Sequence, residues 1–276
     1  MAKNGKTQMN NFLTINEKKI SKEFEEKGFL IRDIEDLESL NKLRSIFLKL
    51  CSLNLKNKNS SNIKEDLLNQ THKKIKSNDL NKFRLKIINE INKKKETREL
   101  YYKVSKPILD VILGNELSMQ SRVNLSIQLP NDKSSLLPVH SDVWSGDSPF
   151  ETVVWLPLVD CYKTKSMYIL PPQKYEKIKK IFLEKKFNSS ESIYKKIKKD
   201  LIWINIKFGQ VLVFNQCLPH GNTVNHENET RWSLNCRFKS IFSPHRDKKI
   251  GEFFKPITLR KVSELAINYK LPKIIK

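Results

Sequence analysis

Val123-Asn124-Leu125-Ser126-Ile127-Gln128-Leu129 alternates apolar and polar residues without a break. Side chains two apart on an extended chain share a face, so the four aliphatics line one side and Asn124, Ser126 and Gln128 the other. This is the pattern of a strand with one buried face, and it marks a change of period. Upstream, from Asn16 to about Leu113, apolar residues recur at three and four, as in Leu37, Leu40, Leu43, Ile46, Phe47 and Leu50; that spacing predicts helices. Within that third, Gly28-Phe29-Leu30-Ile31 reads as a turn into a short strand, and Asn54 to Asn62, rich in Asn, Lys and Ser, as a surface loop.

Downstream the short strands continue: Glu151 to Leu158, Ser166 to Leu170, Leu201 to Ile206, Gln210 to Phe214 and Arg231 to Phe242. The charged stretch 173–199 has helical spacing and reads as an insertion crossing outside the sheets. Short strands after a helical third predict an α+β chain, an antiparallel sandwich or barrel buttressed by helices. One domain is expected over 1–276: mostly helical support at 1–121, a β-barrel core at 122–242, and a C-terminal extension at 243–276.

Composition narrows the function classes. The 276 residues carry 52 Lys and Arg against 30 Asp and Glu, a net charge of +22. A strongly basic chain can serve an anionic partner. Here the excess is dispersed, as in Lys73-Lys74 and Lys93-Lys94-Lys95, which reads as solvated helix faces, and nucleic acid is not expected as the partner. The longest apolar runs, such as Val153-Val154-Trp155-Leu156, fall far short of the roughly 20 residues a membrane helix needs. The first eleven residues are polar and lack the apolar stretch of a secretory signal, so the protein is read as cytoplasmic. Cys51, Cys161, Cys217 and Cys236 lie far apart with no Cys-x-x-Cys pair, as reduced thiols do.

The chemistry is concentrated in Pro138-Val139-His140-Ser141-Asp142-Val143-Trp144. In an extended chain His140 and Asp142 project to the same side and can offer a nitrogen and a carboxylate oxygen to one point. A His-x-Asp is common by chance, and it gains meaning from Leu218-Pro219-His220-Gly221-Asn222, which follows the strand ending at Phe214, and from Arg231-Trp232-Ser233 eleven residues after His220. Two His and one carboxylate form the facial triad of non-haem Fe(II) sites. A downstream Arg with a Ser two residues on can present a fork and a hydroxyl to a carboxylate. His226, in the polar run Asn225 to Glu229, reads as an exposed turn, His245 as surface, and His72 as part of the helical third.

The combination His140-x-Asp142, His220 and Arg231-x-Ser233 over β-rich sequence resembles the Fe(II)/2-oxoglutarate-dependent oxygenases, and specifically their phytanoyl-CoA dioxygenase-like branch. Phe24-Glu25-Glu26-Lys27-Gly28-Phe29-Leu30-Ile31 is similar to that branch's opening. Val139 to Gly146 and Trp155 to Cys161 resemble oxygenases of bacterial surface-carbohydrate clusters. The likeness spans roughly Glu17 to Phe242. It implies a double-stranded β-helix, a jelly-roll or cupin-like barrel, with iron at its mouth. It also implies His140, Asp142 and His220 as iron ligands, Arg231 on the distal carboxylate of 2-oxoglutarate with Ser233 assisting, and Gln128 as a contact to cosubstrate or substrate.

The interval from His220 to Arg231 is one residue longer than in several branches, which Asn225 or Asn228 would absorb. Fe(II), 2-oxoglutarate and O2 are the expected cofactors, and the expected reaction is oxidation of a small molecule, a sugar or nucleotide-linked sugar, with release of succinate and carbon dioxide. The carboxylate at Asp142 argues against halogenation. Asn124, Trp144 and Arg237 are further substrate candidates, and Arg237 is an alternative carboxylate anchor to Arg231. Two other classes remain open at this level: a non-catalytic barrel holding an anionic polymer, and a metal-dependent isomerase or epimerase on the same fold. Oligomeric state is not legible in the sequence.

Overall fold

The structure of the protein, a computed structural model, describes residues 12–55, 67–184 and 189–272. Most of the loop expected at Asn54 to Asn62, and the polar first eleven residues, lie outside them. Thr14 opens α1 (Ile15–Lys27) with a capping box closed by Glu17. Gly28, at φ +77°, ends that helix and turns the chain into β1 (Phe29–Asp33). Three helices follow, α2 (Leu37–Asn54), α3 (Ser77–Lys93) and α4 (Lys95–Ile112). Each buries one stripe, such as Leu80, Phe83, Ile87 and Ile91 of α3.

The remaining strands are β2 (Leu117–Gln120), β3 (Asn124–Gln128), β4 (Glu151–Pro157), β5 (Tyr168–Ile169), β6 (Ile202–Trp203), β7 (Gln210–Asn215), β8 (His220–Gly221), β9 (Arg231–Ser240) and β10 (Phe254–Pro256). A major antiparallel sheet runs β1-β7-β4-β9-β2-β10, with β3 also pairing β9. A minor sheet runs β6-β5-β8. Between β5 and β6 lie α5 (Pro172–Leu183) and α6 (Ser190–Ile197).

β9 organises the molecule. Trp232, Leu234, Cys236 and Phe238 are fully buried toward the helices, and each such side chain contributes about 2 kcal/mol by leaving water. Helix contacts fix that outer face. The Tyr101 hydroxyl donates to Val154 O at 2.8 Å, Trp232 Nε1 to Thr71 Oγ1 at 3.1 Å, and the Asn92 amide brackets the backbone of Val123. The alternate residues Arg231, Ser233, Asn235 and Arg237 face the other way, toward the minor sheet.

Three strands of the major sheet come from outside the 122–242 span that the period-two pattern marked. β2, Leu117-Ser118-Met119-Gln120, alternates over only four residues and β10 is three residues long, too short for a period of two to be read. The stretch expected as a strand from Leu201 to Ile206 is reduced to β6, with Ile206 making a single bridge to Cys161. Among the described residues no helix is long and apolar enough to cross a membrane.

Candidate metal centre and anion pocket

His140 and His220 meet across an antiparallel bridge. His140 N donates to His220 O at 3.0 Å and His220 N to His140 O at 2.9 Å. Asp142 N then donates to Gln216 O at 3.1 Å, and the Ser141 hydroxyl caps Gln216 O and Cys217 O at 3.0 Å each. Two segments remote in sequence are thereby stapled at the edge of the minor sheet. Gly221 is needed there, because a Cβ on it would stand 2.7 Å from Leu137 O and 2.8 Å from the Tyr168 hydroxyl.

Both imidazoles have one nitrogen engaged. Nδ1 of His140 lies 2.8 Å from Pro138 O, and Nδ1 of His220 lies 2.9 Å from Leu218 O. A carbonyl only accepts, so Nδ1 carries the proton and Nε2 keeps its lone pair, as in metal-ligating histidines. Asp142 Oδ1 lies 3.6 Å from His140 Nε2 and 4.0 Å from His220 Nε2. The three ligand atoms lie within 4.8 Å of one another, and bonds of about 2.0–2.2 Å from a shared ion would fall in that range. Burial, with the facing His140 as a second cause, pulls the His220 imidazole down to about 4, so it is neutral and ready to ligate at pH 7.

The cluster opens onto a cavity of about 530 Å³ between the sheets, large enough for small ligands. Arg231 lies in its wall, 2% exposed. Nη1 donates to Ser166 O and Nη2 to Ser126 Oγ, both at 3.0 Å, while Nε has no partner. No carboxylate of the described residues pairs with it. Burial lowers the guanidinium to about 10, still charged at neutral pH. The Ser233 and Ser166 hydroxyls and Gln128 Oε1 are likewise buried without partners. A buried cation and unpaired hydroxyl donors suit a carboxylate ligand, whereas the Gln128 oxygen, an acceptor, does not.

The other candidates divide. Asn124 lines the cavity with its amide on Asn235 Oδ1 at 2.9 Å. Gln128 does not line it; its amide donates to Thr223 O at 2.6 Å and holds the loop after His220. Trp144 is also outside the lining, 44% exposed, its ring packed at a tilt with its centroid 5.3 Å from that of Phe182 of α5. Trp155 belongs to the buried core and also stands in the cavity wall. Arg237 lines the cavity but is held by carboxylates, with Nη2 2.9 Å from Asp142 Oδ1. His226, His245 and His72 stand outside the ligand cluster, on Asn131, Lys248 and Thr230 respectively.

Sequence reasoning passed over Gln216 and Ser126. Gln216 is buried, and its side chain joins Arg237, Glu151 and Ser148 O. Ser126 had a signal, since it shares the polar face of β3 with Asn124. Gln216 had none, being a single polar residue in a turn.

No family model matches the chain, and no curated protein does. Solved structures do. The chain is similar to AviO1 from Streptomyces viridochromogenes Tue57, at 13% identity and TM-score 0.53 over 85% of this chain and 99% of that one. It is similar to HygX from Streptomyces hygroscopicus with nickel and 2-oxoglutarate bound, at 13% identity and TM-score 0.53 over 86% and 90%. The non-heme monooxygenase ThoJ in its nickel complex gives 14% identity and TM-score 0.52 over 87% and 84%. At such identities the likeness is one of fold: the chain adopts the jelly roll of the non-haem, 2-oxoglutarate-dependent enzymes. Its own His140, Asp142 and His220 form a cluster that could hold a metal ion.

Proposed function

We propose that the protein is an Fe(II)/2-oxoglutarate-dependent dioxygenase that oxidises, by hydroxylation, a small hydroxyl-rich molecule. The observation that carries this reading is the pairing of a His-Asp-His cluster with an unneutralised buried arginine in the wall of one cavity. The donor set fits iron: two neutral nitrogens and one carboxylate oxygen on one side, leaving the cavity side free. HygX, of the same fold, holds nickel and 2-oxoglutarate, which supports the same pair of ligands here.

In this reading iron, once bound with 2-oxoglutarate, supplies the activation of O2 and the oxidative decarboxylation that yields succinate and carbon dioxide. The chain's own residues do the rest. Pro138 O and Leu218 O hold the two imidazoles in the ligating tautomer. Arg231 receives the distal carboxylate through its free Nε and its fork, and Ser233 and Ser166 add hydroxyls. Val153, Trp155, Met167 and Phe214 make the wall apolar and limit water.

Asn124, Ser134, Asn222 and Asn235 give the remaining wall hydrogen-bonding capacity without acid. That lining favours a sugar or nucleotide-linked sugar, as in surface-carbohydrate biosynthesis, over a hydrocarbon. The four cysteines are unpaired and far apart, and on that ground we place this activity in a reducing compartment, the cytoplasm.

Anaerobic addition of Fe(II) and 2-oxoglutarate should produce a weak visible absorption band, absent in His220→Ala. On admission of oxygen the protein should release succinate. A protein that gives neither band nor succinate is not an oxygenase. Affinity for a polyanion that falls steeply with salt and ignores metal would favour the polymer-binding barrel instead.

A further inference from the structure

Asp142 Oδ1, the oxygen that faces both imidazole Nε2 atoms, also lies 2.9 Å from Arg237 Nη2. The guanidinium is clamped on its other sides. Nε lies 3.1 Å from Asp147 Oδ1 and donates to Gln216 Oε1 at 3.2 Å, and Nη1 donates to Gln120 Oε1 at 3.4 Å. Asp147 is 1% exposed and its second oxygen takes Lys248 Nζ. Charges therefore alternate along a chain, Asp142, Arg237, Asp147, Lys248, from the metal cluster to the segment after the barrel.

That segment is itself tied to the loop carrying Asp147. Pro244 O accepts from Ser148 and Lys239, the Arg246 guanidinium donates to Val143 O, and Asp247 N donates to Gly146 O.

A carboxylate turns easily about its terminal torsion. As a single-oxygen ligand it is useful only if one oxygen is held toward the ion. We infer that Arg237 is a positioning residue for metal binding: it fixes the Asp142 carboxylate with Oδ1 toward His140 and His220, and Asp147 and Lys248 hold Arg237 in place. This goes beyond the ligand set and rests on the metal-binding reading above. Arg237 is thus distinguished from Arg231, and it is not spent on an anionic substrate. A planar fork suits the task because it reaches two carboxylates at once from a fixed frame.

The test uses metal alone. Co(II) is titrated into the metal-free protein, following the visible d–d absorption, with thermal unfolding as the check on folding. Arg237→Met should weaken Co(II) binding about 10- to 100-fold, the loss typical of removing a group that orients a ligand, and should alter the band shape. Arg237→Lys should recover part of the affinity, since an ammonium reaches Asp142 but cannot also grip Asp147. Asp147→Asn should weaken binding less than Arg237→Met, and Lys248→Met least. Binding by Arg237→Met within about twofold of wild type with an unchanged spectrum overturns the inference, as does a larger loss at Lys248 than at Arg237. If Arg237→Met does not fold, unchanged binding in a folded Asp147→Asn overturns it. A wild-type protein whose Co(II) binding is absent, or is unaffected by His220→Ala, overturns the metal-site reading itself and this inference with it.

Discussion

Arg231 and Arg237 leave the same face of β9 six residues apart, and both stand in the wall of one cavity. Their surroundings differ in sign. Around Arg237 the charges close on themselves, with the Asp142 and Asp147 carboxylates beside the guanidinium while its Nε and Nη1 donate to Gln216 and Gln120. Around Arg231 they do not: it has one carbonyl, one hydroxyl, an unpaired Nε, and neighbouring hydroxyls without partners. Folding alone explains the first arrangement, because a buried ion pair must be complete to be tolerated. The second costs stability unless something else uses it. An unneutralised cation in a cavity wall is therefore the stronger mark of a ligand, and the neutralised one the mark of a support.

The sharpest way to break this contrast is Arg231→Met. If Arg231 anchors 2-oxoglutarate, its loss should weaken 2-oxoglutarate binding by two to three orders of magnitude, about 3–4 kcal/mol, while Co(II) binding stays near wild type. Calorimetric titration with each ligand separates the two. The same variant should leave the melting temperature of the ligand-free protein unchanged or raised, since it removes a desolvated charge that nothing compensates. Arg237→Met should instead cost about 3 kcal/mol of stability, because it strands buried Asp142 and leaves Asp147 with Lys248 alone. Equal losses at the two arginines would erase the distinction.

A finer probe is Ser126→Ala, which removes one acceptor from Arg231 while keeping the charge. The apparent KM for 2-oxoglutarate in succinate release should rise about fivefold, the effect of roughly 1 kcal/mol.

The smallest expected signal comes from the thiols behind β9. Burial pushes Cys51, Cys161 and Cys236 up to about 12 and Cys217 to about 11, against an ordinary value near 8.5. At pH 8 Ellman's reagent should leave the three buried thiols of the native protein essentially unlabelled. Half-buried Cys217 should react first and slowly, and all four should react at once in denaturant. Because the folded state holds these protons more tightly than the unfolded chain does, stability should fall as pH rises above about 8.5.

The ligand cluster was legible because its residue types are rare and its chemistry demands them: His140-x-Asp142 on one extended segment, His220 beside a glycine, Arg231 and Ser233 on alternate positions of a strand. The polar face of β3 was legible from alternation, although its members serve different ends, Ser126 on Arg231 and Gln128 on the Thr223 carbonyl. Trp144 illustrates the limit. A loop aromatic near the ligands suggests a substrate platform, but its packing partner, Phe182, comes from the inserted helix α5, whose docking no local pattern reveals. β2 and β10 escaped because they are short: four and three residues are too few for a period of two to stand out.

The amino-acid order by itself thus determined where helices give way to strands, and which few side chains have the chemistry to hold a metal and a carboxylate. Periodicity and residue type are local properties, and they survive without knowledge of partners. Only the tertiary structure decided that Arg237 sits on Asp142 while Arg231 is left with an open valence. Charge pairing depends on which segments meet in space, and Asp147, Gln216 and Lys248 arrive there from three separate loops.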